Sequence, residues 1–407
     1  MLALFGCESS EILSGRDVTD RYRLHPQGDI VAQYVVWAGP EKHVSVYWRI
    51  AAGSLQKSSP DATRSFLINY YLFNTFSDAT YIDTGRVLKK QVSVGDEDYI
   101  SGVIDLQLPV PRRYMLLLDI RDLNRVQTRR DFIELENPTH FTRQSFLVIH
   151  PKTGLIFKPY LQDTGLVKLK MSVPVSQLYA KYYHREFPAA APPFVAVSPK
   201  PFDFTPDEVV TLLPDSADTW NLRIQNTGFY QITIDSTQKA GGTLYYFGEH
   251  YPKVKTPKDL LEPLRYITTS AEYTALEEAE NAKVKVDEFW LKIGGSPARA
   301  RELIAAYYSR VEEANELFVS YIEGWKTDRG MCFIVFGPPD KVYRTSTQET
   351  WFYGEEGKFT ALKLTFTKVI NPFTDNDFRL NRIATYRTPW FRAVDFWRQG
   401  RILKNFK

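Results

Sequence analysis

The hydrophobic period of this chain switches once, and the switch limits what each part can fold into. From Asp29 to Glu136 apolar residues recur at every second position. Val44, Val46, Trp48 and Ile50 alternate with Ser45, Tyr47 and Arg49, the pattern of a strand with one buried face. Phe66 to Phe73, Val103 to Leu108 and Tyr114 to Ile120 repeat it, separated by Gly, Pro, Asp and Ser clusters at the spacing of a sandwich. Asn137-Pro138-Thr139-His140 reads as a link, after which Phe146 to Ile149, Val167 to Val173 and Leu222 to Asn226 begin the alternation again. Beyond Pro252 the spacing lengthens to three and four. Leu260, Leu261 and Leu264, then Tyr273, Leu276 and Ala279, mark short helices, with Ser270 expected as an N-cap. Ser296-Pro297 opens the clearest helix, whose apolar face is Leu303, Ile304, Tyr307, Val311, Ala314 and Phe318. Met331 to Phe336, Glu349 to Tyr353 and Leu362-Leu364-Phe366 return to strand pattern, and Thr388-Pro389 starts a last helix.

The expected fold is therefore multidomain: two all-β immunoglobulin-like sandwiches followed by an α+β domain. The boundaries read as 1–16 for a signal remnant and tether, 17–137 and 138–250 for the two sandwiches, and 251–407 for the helical segment with the α+β domain. The Pro- and Ala-dense stretch Phe187 to Pro206, which includes Pro192-Pro193, is expected as a long loop or edge inside the second sandwich.

Charge excludes one class of function. Lys+Arg 51 against Asp+Glu 48 leaves +3, too little for a protein that binds nucleic acid through counterion release. No apolar run reaches the ~18 residues of a transmembrane span. Two cysteines cannot build a disulfide framework. Leu4-Phe5-Gly6-Cys7 resembles the lipobox that ends a bacterial lipoprotein signal peptide, which would make Cys7 the lipidated first residue. Glu8 to Arg16, polar and Ser-containing, suits a tether between lipid and first domain. Only five residues precede Gly6, fewer than a signal peptide needs, so this reading also requires a start further upstream. Cys332, in an apolar run, reads as a small buried hydrophobe.

Gly324-Trp325-Lys326-Thr327-Asp328, followed by Arg329-Gly330 and later by Gly337-Pro338-Pro339-Asp340, resembles the GWxTD-domain family of bacterial envelope proteins. Phe289-Trp290, Tyr307-Tyr308, Arg310, Ala314-Asn315 and Glu349-Thr350-Trp351 also follow that family's pattern. The resemblance implies a secreted or lipid-anchored protein with β-domains ahead of the module, and it supplies no reaction. Physically, Gly324 suits a left-handed helix end, and Trp325 a plug between helix and sheet. Thr327 and Asp328 suit a turn into a strand at Met331, and Gly337-Pro338-Pro339-Asp340 its termination. The signature thus reads first as a folding motif. The sharper reading puts Asp328, Arg329 and Asp340 at a pocket or interface.

No catalytic residue, metal site or cofactor is expected. His25, His43, His140, His150, His184 and His250 are scattered, and no nucleophile elbow, phosphate loop or dinucleotide fingerprint occurs. Asp96 with Asp98, and Asp375 with Asp377, read as solvated loop acids. The tail from Arg379 to Lys407 is rich in arginine and aromatics, so Trp390, Arg392, Trp397 and Arg398 are the candidate partner contacts, the alternative being a helix that packs its aromatic stripe on the domain's own sheet and leaves its arginines in solvent. The function expected is a non-catalytic, lipid-anchored scaffold or accessory subunit of an outer-membrane complex in a Gram-negative envelope. An envelope polysaccharide-binding module or glycan-active enzyme is the alternative.

Overall fold

A computed structural model describes residues 15–23, 29–58, 63–136, 140–172, 174–198, 202–216, 218–355 and 361–402. Cys7 and His25 lie outside them. The first β region pairs a three-stranded sheet, with His43–Ala51 between Ala32–Ala38 and Tyr99–Gln107, against a four-stranded one in the order Asp83–Ser93, Thr63–Phe73, Tyr114–Asp122, Gln127–Leu135. Alternation produces the core directly: Val44, Val46, Trp48 and Ile50 face Phe66, Ile68, Leu116 and Leu118 and are almost wholly buried. The second β region holds two five-stranded sheets over a core of Val148, Leu169, Trp220, Leu222, Ile232 and Leu244.

Both regions tie a tyrosine back to the chain four residues upstream. Tyr114 Oη donates to the Val110 carbonyl at 3.1 Å, and Tyr230 Oη to the Asn226 carbonyl at 2.8 Å. This is the corner geometry that fixes strand entry in Greek-key sandwiches.

Among its described residues the C-terminal region packs six helices, α1 (Pro257–Leu261), α2 (Ser270–Glu277), α3 (Ala282–Gly294), α4 (Pro297–Phe318), α5 (Asp328–Phe336) and α6 (Arg387–Arg398), on a five-stranded sheet. α4 is capped as its sequence predicts, the Ser296 hydroxyl accepting from the Arg299 amide at 3.3 Å. The cap of α2 is Thr269 rather than Ser270.

Three expectations are corrected. Residues Met331 to Phe336 are helical, because Thr327 caps the segment and the whole turn is buried, so no polar face marks its period. Arg16–Asp17 is an edge strand of the C-terminal sheet, Arg16 opposite Arg344 and Asp17 opposite Tyr343, so the residues after the tether pair outside the first β region. The Phe187 to Pro206 loop also leaves its own region. The Ala190 amide donates to the Lys326 carbonyl at 2.9 Å, and Arg382 Nη2 to the Ala191 carbonyl at 2.9 Å.

An aromatic cluster joins the second β region to the C-terminal one. Tyr183, Phe229 and Tyr245 from the sheet meet Tyr251, Tyr321 and Phe373, with Tyr183 and Phe229 stacked at 4.9 Å. The Tyr245 hydroxyl donates to the Phe373 carbonyl at 2.6 Å.

Candidate functional site at the corner between α4 and α5

The signature residues occupy the sharp corner that carries the chain from α4 into α5. Asn315 organises it from 5% exposure: its Oδ1 accepts from the Trp325 amide at 3.0 Å, and its Nδ2 donates to the Pro252 carbonyl at 3.1 Å. The Asn315 carbonyl accepts from Tyr251 Oη at 2.7 Å.

Gly324 is not in the left-handed region; it begins a short 3-10 turn, Gly324–Lys326. Its glycine is required for another reason: a Cβ there would overlap the Ala314 carbonyl oxygen, and one at Gly330 would overlap the carbonyl of Gly324. Backbone lies on backbone at both places.

Trp325 is buried edge-on to Tyr266 at 6.1 Å, and Tyr266 Oη donates to the Trp325 carbonyl at 3.0 Å. Thr327 accepts from the Gly330 amide at 3.0 Å and donates to the Gly324 carbonyl at 2.7 Å, so one hydroxyl caps α5 and closes the corner. Asp328 accepts the Leu380 amide at 2.9 Å and both arms of Arg382, at 2.8 and 2.6 Å, which pins α5 to strand Phe378–Leu380. Gly337 ends α5 with φ of 89°, and Asp340 accepts the Gly354 amide at 2.7 Å. Pro338 is exposed and Pro339 buried.

Behind the corner lies a buried charge cluster. Glu349 is wholly buried and accepts from Arg329 at 3.1 Å, from Tyr22 Oη at 2.7 Å and from Trp351 Nε1 at 3.3 Å, with Arg344 at 3.4 Å. Burial alone would raise its pKa; Arg329, Arg344 and Arg21 outweigh that and hold it at about 2. Burial, then the Glu349 charge, pushes Tyr22 up to about 12, so it stays a donor.

Arg329 also donates to the Asn376 carbonyl at 2.7 Å and side chain at 2.6 Å, and Asn376 Nδ2 ties down the Leu317 and Val319 carbonyls. Of the loop acids beside it, Asp375 is exposed as expected, whereas the Asp377 side chain is largely buried. Asp377 accepts from Tyr321 Oη at 3.1 Å, and Asp375 contacts Glu136 and Lys368. Asp96 does keep an exposed side chain, paired with Lys57 and Arg64.

The corner holds structure rather than offering reactive groups. Burial pushes the Cys332 thiol well above its ordinary range. Among the described residues no three His, Cys, Asp or Glu side chains converge as metal ligands. A cleft of about 280 Å³ adjoins Trp325, lined by Glu249, Tyr251, Lys253, Asn315 and Glu323 among others.

The partner-contact residues divide. Trp390 and Trp397 are core residues at 3% and 0% exposure, Trp397 Nε1 donating to the Val335 carbonyl at 3.1 Å. Arg398 is committed to Glu272, two bonds of 2.8 Å. The aromatic stripe on α6 is thus the buried face, and of the four only Arg392 lies on the outer one. Sequence reasoning did not single out Phe396, and Phe391, expected on the same face as Trp390 and Trp397, is exposed; an offset of about a quarter-turn or more of each from the two tryptophans on the helical wheel is the signal that separates them.

Residues 228–399 match the family model of the GWxTD domain. The chain carries a GWxTD domain. Its match takes in strands Gly228–Thr233 and Gly242–Tyr246 of the second β region, and so includes residues from both sides of the aromatic joint. No curated protein matches the chain. Solved structures it aligns with include a biofilm-associated protein BSP domain, at 11% identity over 57% of this chain and 54% of that one with a TM-score of 0.18. Another is Escherichia coli alpha-2-macroglobulin activated by porcine elastase, at 9% identity over 76% and 36% with a TM-score of 0.19. The chain therefore spans about half of the first and about a third of the second. In the GWxTD domain itself, the Gly, Trp, Thr and Asp of the signature each have a packing or capping reason to be there.

Proposed function

We propose that this protein is a non-catalytic, lipid-anchored scaffold or accessory subunit of an outer-membrane complex in a Gram-negative envelope, serving assembly, secretion or transport. Its two β regions are immunoglobulin-like spacers, as their tyrosine corners suggest. One observation carries the reading: the aromatic joint around Tyr183, Phe229, Tyr321 and Phe373 couples spacer to GWxTD domain through a continuous core. A scaffold must hold its surfaces at fixed separation, and a buried aromatic joint does so where a linker would not. Cys7 would tether the assembly through lipid.

The test expresses the chain behind a complete signal peptide, with in-cell crosslinking and mass spectrometry. Wild type should fractionate with membranes and give reproducible crosslinks to envelope proteins, while Cys7→Ser should be released. A variant that stays on membranes removes the lipoprotein part, and absence of protein crosslinks removes the scaffold part. The exposed Tyr81 and Tyr99 favour polysaccharide stacking as a second reading. Retention on immobilised envelope polysaccharide, lost in Tyr81→Ala with Tyr99→Ala, would establish it instead.

A further inference from the structure

The outer face of α6 and the residues that follow it form an open groove of about 560 Å³. Arg387, Thr388, Phe391, Arg392, Phe396 and Arg401 line it. Phe391 is 46% exposed, and Phe194, from the Phe187 to Pro206 loop, packs on it at 5.4 Å. Val195 and Val197 continue the apolar surface beyond Phe194, at 39% and 53% exposure. The groove itself is built by α6 and the residues after it, and the loop inserted in the second β region adds an apolar neighbour through Phe194.

Its charge is one-sided. Three guanidinium groups stand against a single carboxylate, Asp395. Arg387 lies 5.9 Å from both the Phe194 and Phe391 rings, and Arg401 lies 4.2 Å over Phe396. Stacking holds a guanidinium by its face and leaves its N–H edge free to grip a carboxylate. Among the described residues neither Arg387 nor Arg401 has an acidic partner of its own, in contrast to Arg398 in α6; Arg401 Nη2 donates to the neutral Gln399 side chain, a contact that a carboxylate can displace or share. Aromatic floor and arginine rim together are the composition in which protein interfaces concentrate their energy.

We propose that this groove docks an acidic segment of a partner protein, its carboxylates on Arg387 and Arg401 and its apolar side chains against Phe391 and Phe396. A protein segment fits better than an anionic bilayer, because the rings lie under their arginines rather than projecting, and Asp395 would face the lipid phosphates. The proposal deepens the scaffold reading and rests on it for the existence of a partner.

The experiment uses the whole chain and three probes: a fluorescein-labelled peptide of Glu and Leu, its Lys and Leu counterpart, and phosphatidylglycerol vesicles. The acidic peptide should raise anisotropy at low salt and release as salt increases. Arg387→Glu with Arg401→Glu should weaken it by at least about tenfold, and Phe391→Ser likewise, each with an unchanged melting temperature. Equal binding of acidic and basic peptides, vesicle capture without peptide binding, or an unaffected double variant would each overturn the proposal. If the groove fails in this way while in-cell crosslinks persist in the double variant, the scaffold reading stands and its partner docks elsewhere.

Discussion

The Tyr22 hydroxyl donates to the Glu349 carboxylate at 2.7 Å across 327 positions of chain. That bond closes the shell of a buried acid whose other partners are Arg329, Arg344 and Trp351. Glu349→Gln would leave two guanidinium groups without a counter-charge. Breaking one partner of a buried pair costs about 3–5 kcal/mol, so the variant should melt far lower or fail to fold. Tyr22→Phe removes only the hydroxyl and should cost about 1–3 kcal/mol, readable by urea denaturation of both variants.

The same acid sets an acid-side limit. Its folded pKa is depressed, so its stabilisation is fully present above the ordinary carboxyl range and is lost as pH falls toward about 2. Thermal melts should show a decline on that side that is shallower in Glu349→Gln, as far as that variant folds, the remainder coming from other depressed acids such as Glu272, held at about 2 by Arg398.

Glu136 has the opposite sign. Burial, and then the neighbouring Asp375, push it up to about 8, and Lys368 bridges Glu134 at 3.5 Å and Asp375 at 3.3 Å. The folded state therefore holds a proton that the unfolded chain releases in the ordinary carboxyl range. Stability should fall as pH rises from there through about 8 and then level. Glu136→Gln keeps a donor toward Asp375 at every pH and should flatten most of that slope. Glu313, held up to about 7 chiefly by burial, contributes a smaller slope of the same sign that the substitution leaves in place.

Trp325→Ala should lower the melting temperature or give insoluble protein, since truncating a buried Trp typically costs about 3–5 kcal/mol. Gly324→Ala should also destabilise, by about 1–3 kcal/mol or more, because its methyl meets fixed backbone at Ala314. Thr327→Ser retains a capping oxygen and should cost well under the ~1 kcal/mol expected of Thr327→Ala. Differential scanning calorimetry separates the three. A Trp325→Ala protein with wild-type melting would show that the corner is a contact surface.

Patterning made much of this legible. Val44 to Ile50 declared a half-buried strand, and Ser296-Pro297 with the Leu303 to Phe318 stripe declared α4, because in both the period itself encodes the buried face. Asp328–Phe336 did not, since a segment buried all round shows no period, and Thr327 reads as a turn residue until its donor, the Gly330 amide, is known. Arg16–Asp17 was illegible for a different cause: a two-residue strand carries no period, and its partner lies at the far end of the chain. α6 showed its amphipathicity openly, and of its two readings, docking face or packing stripe, the second holds for the tryptophans; Trp390 and Trp397 are large enough to be the core that holds the helix down. The Phe187 to Pro206 loop announced extension through its prolines but not its destination, which Arg382 and the Lys326 carbonyl determine.

The Arg16 to Arg344 pairing has a consequence for biosynthesis. A ribosome delivers the edge strand of the last sheet long before the strands it must join, so Arg16 to Tyr22 waits through the making of both β regions. Glu349, the acid that Tyr22 satisfies, emerges among two arginines with its final partner already outside and tethered nearby. Closure of this domain is then an intramolecular capture by a strand made ahead of both β regions, and a nascent chain stalled before Lys341 would carry that strand unclaimed.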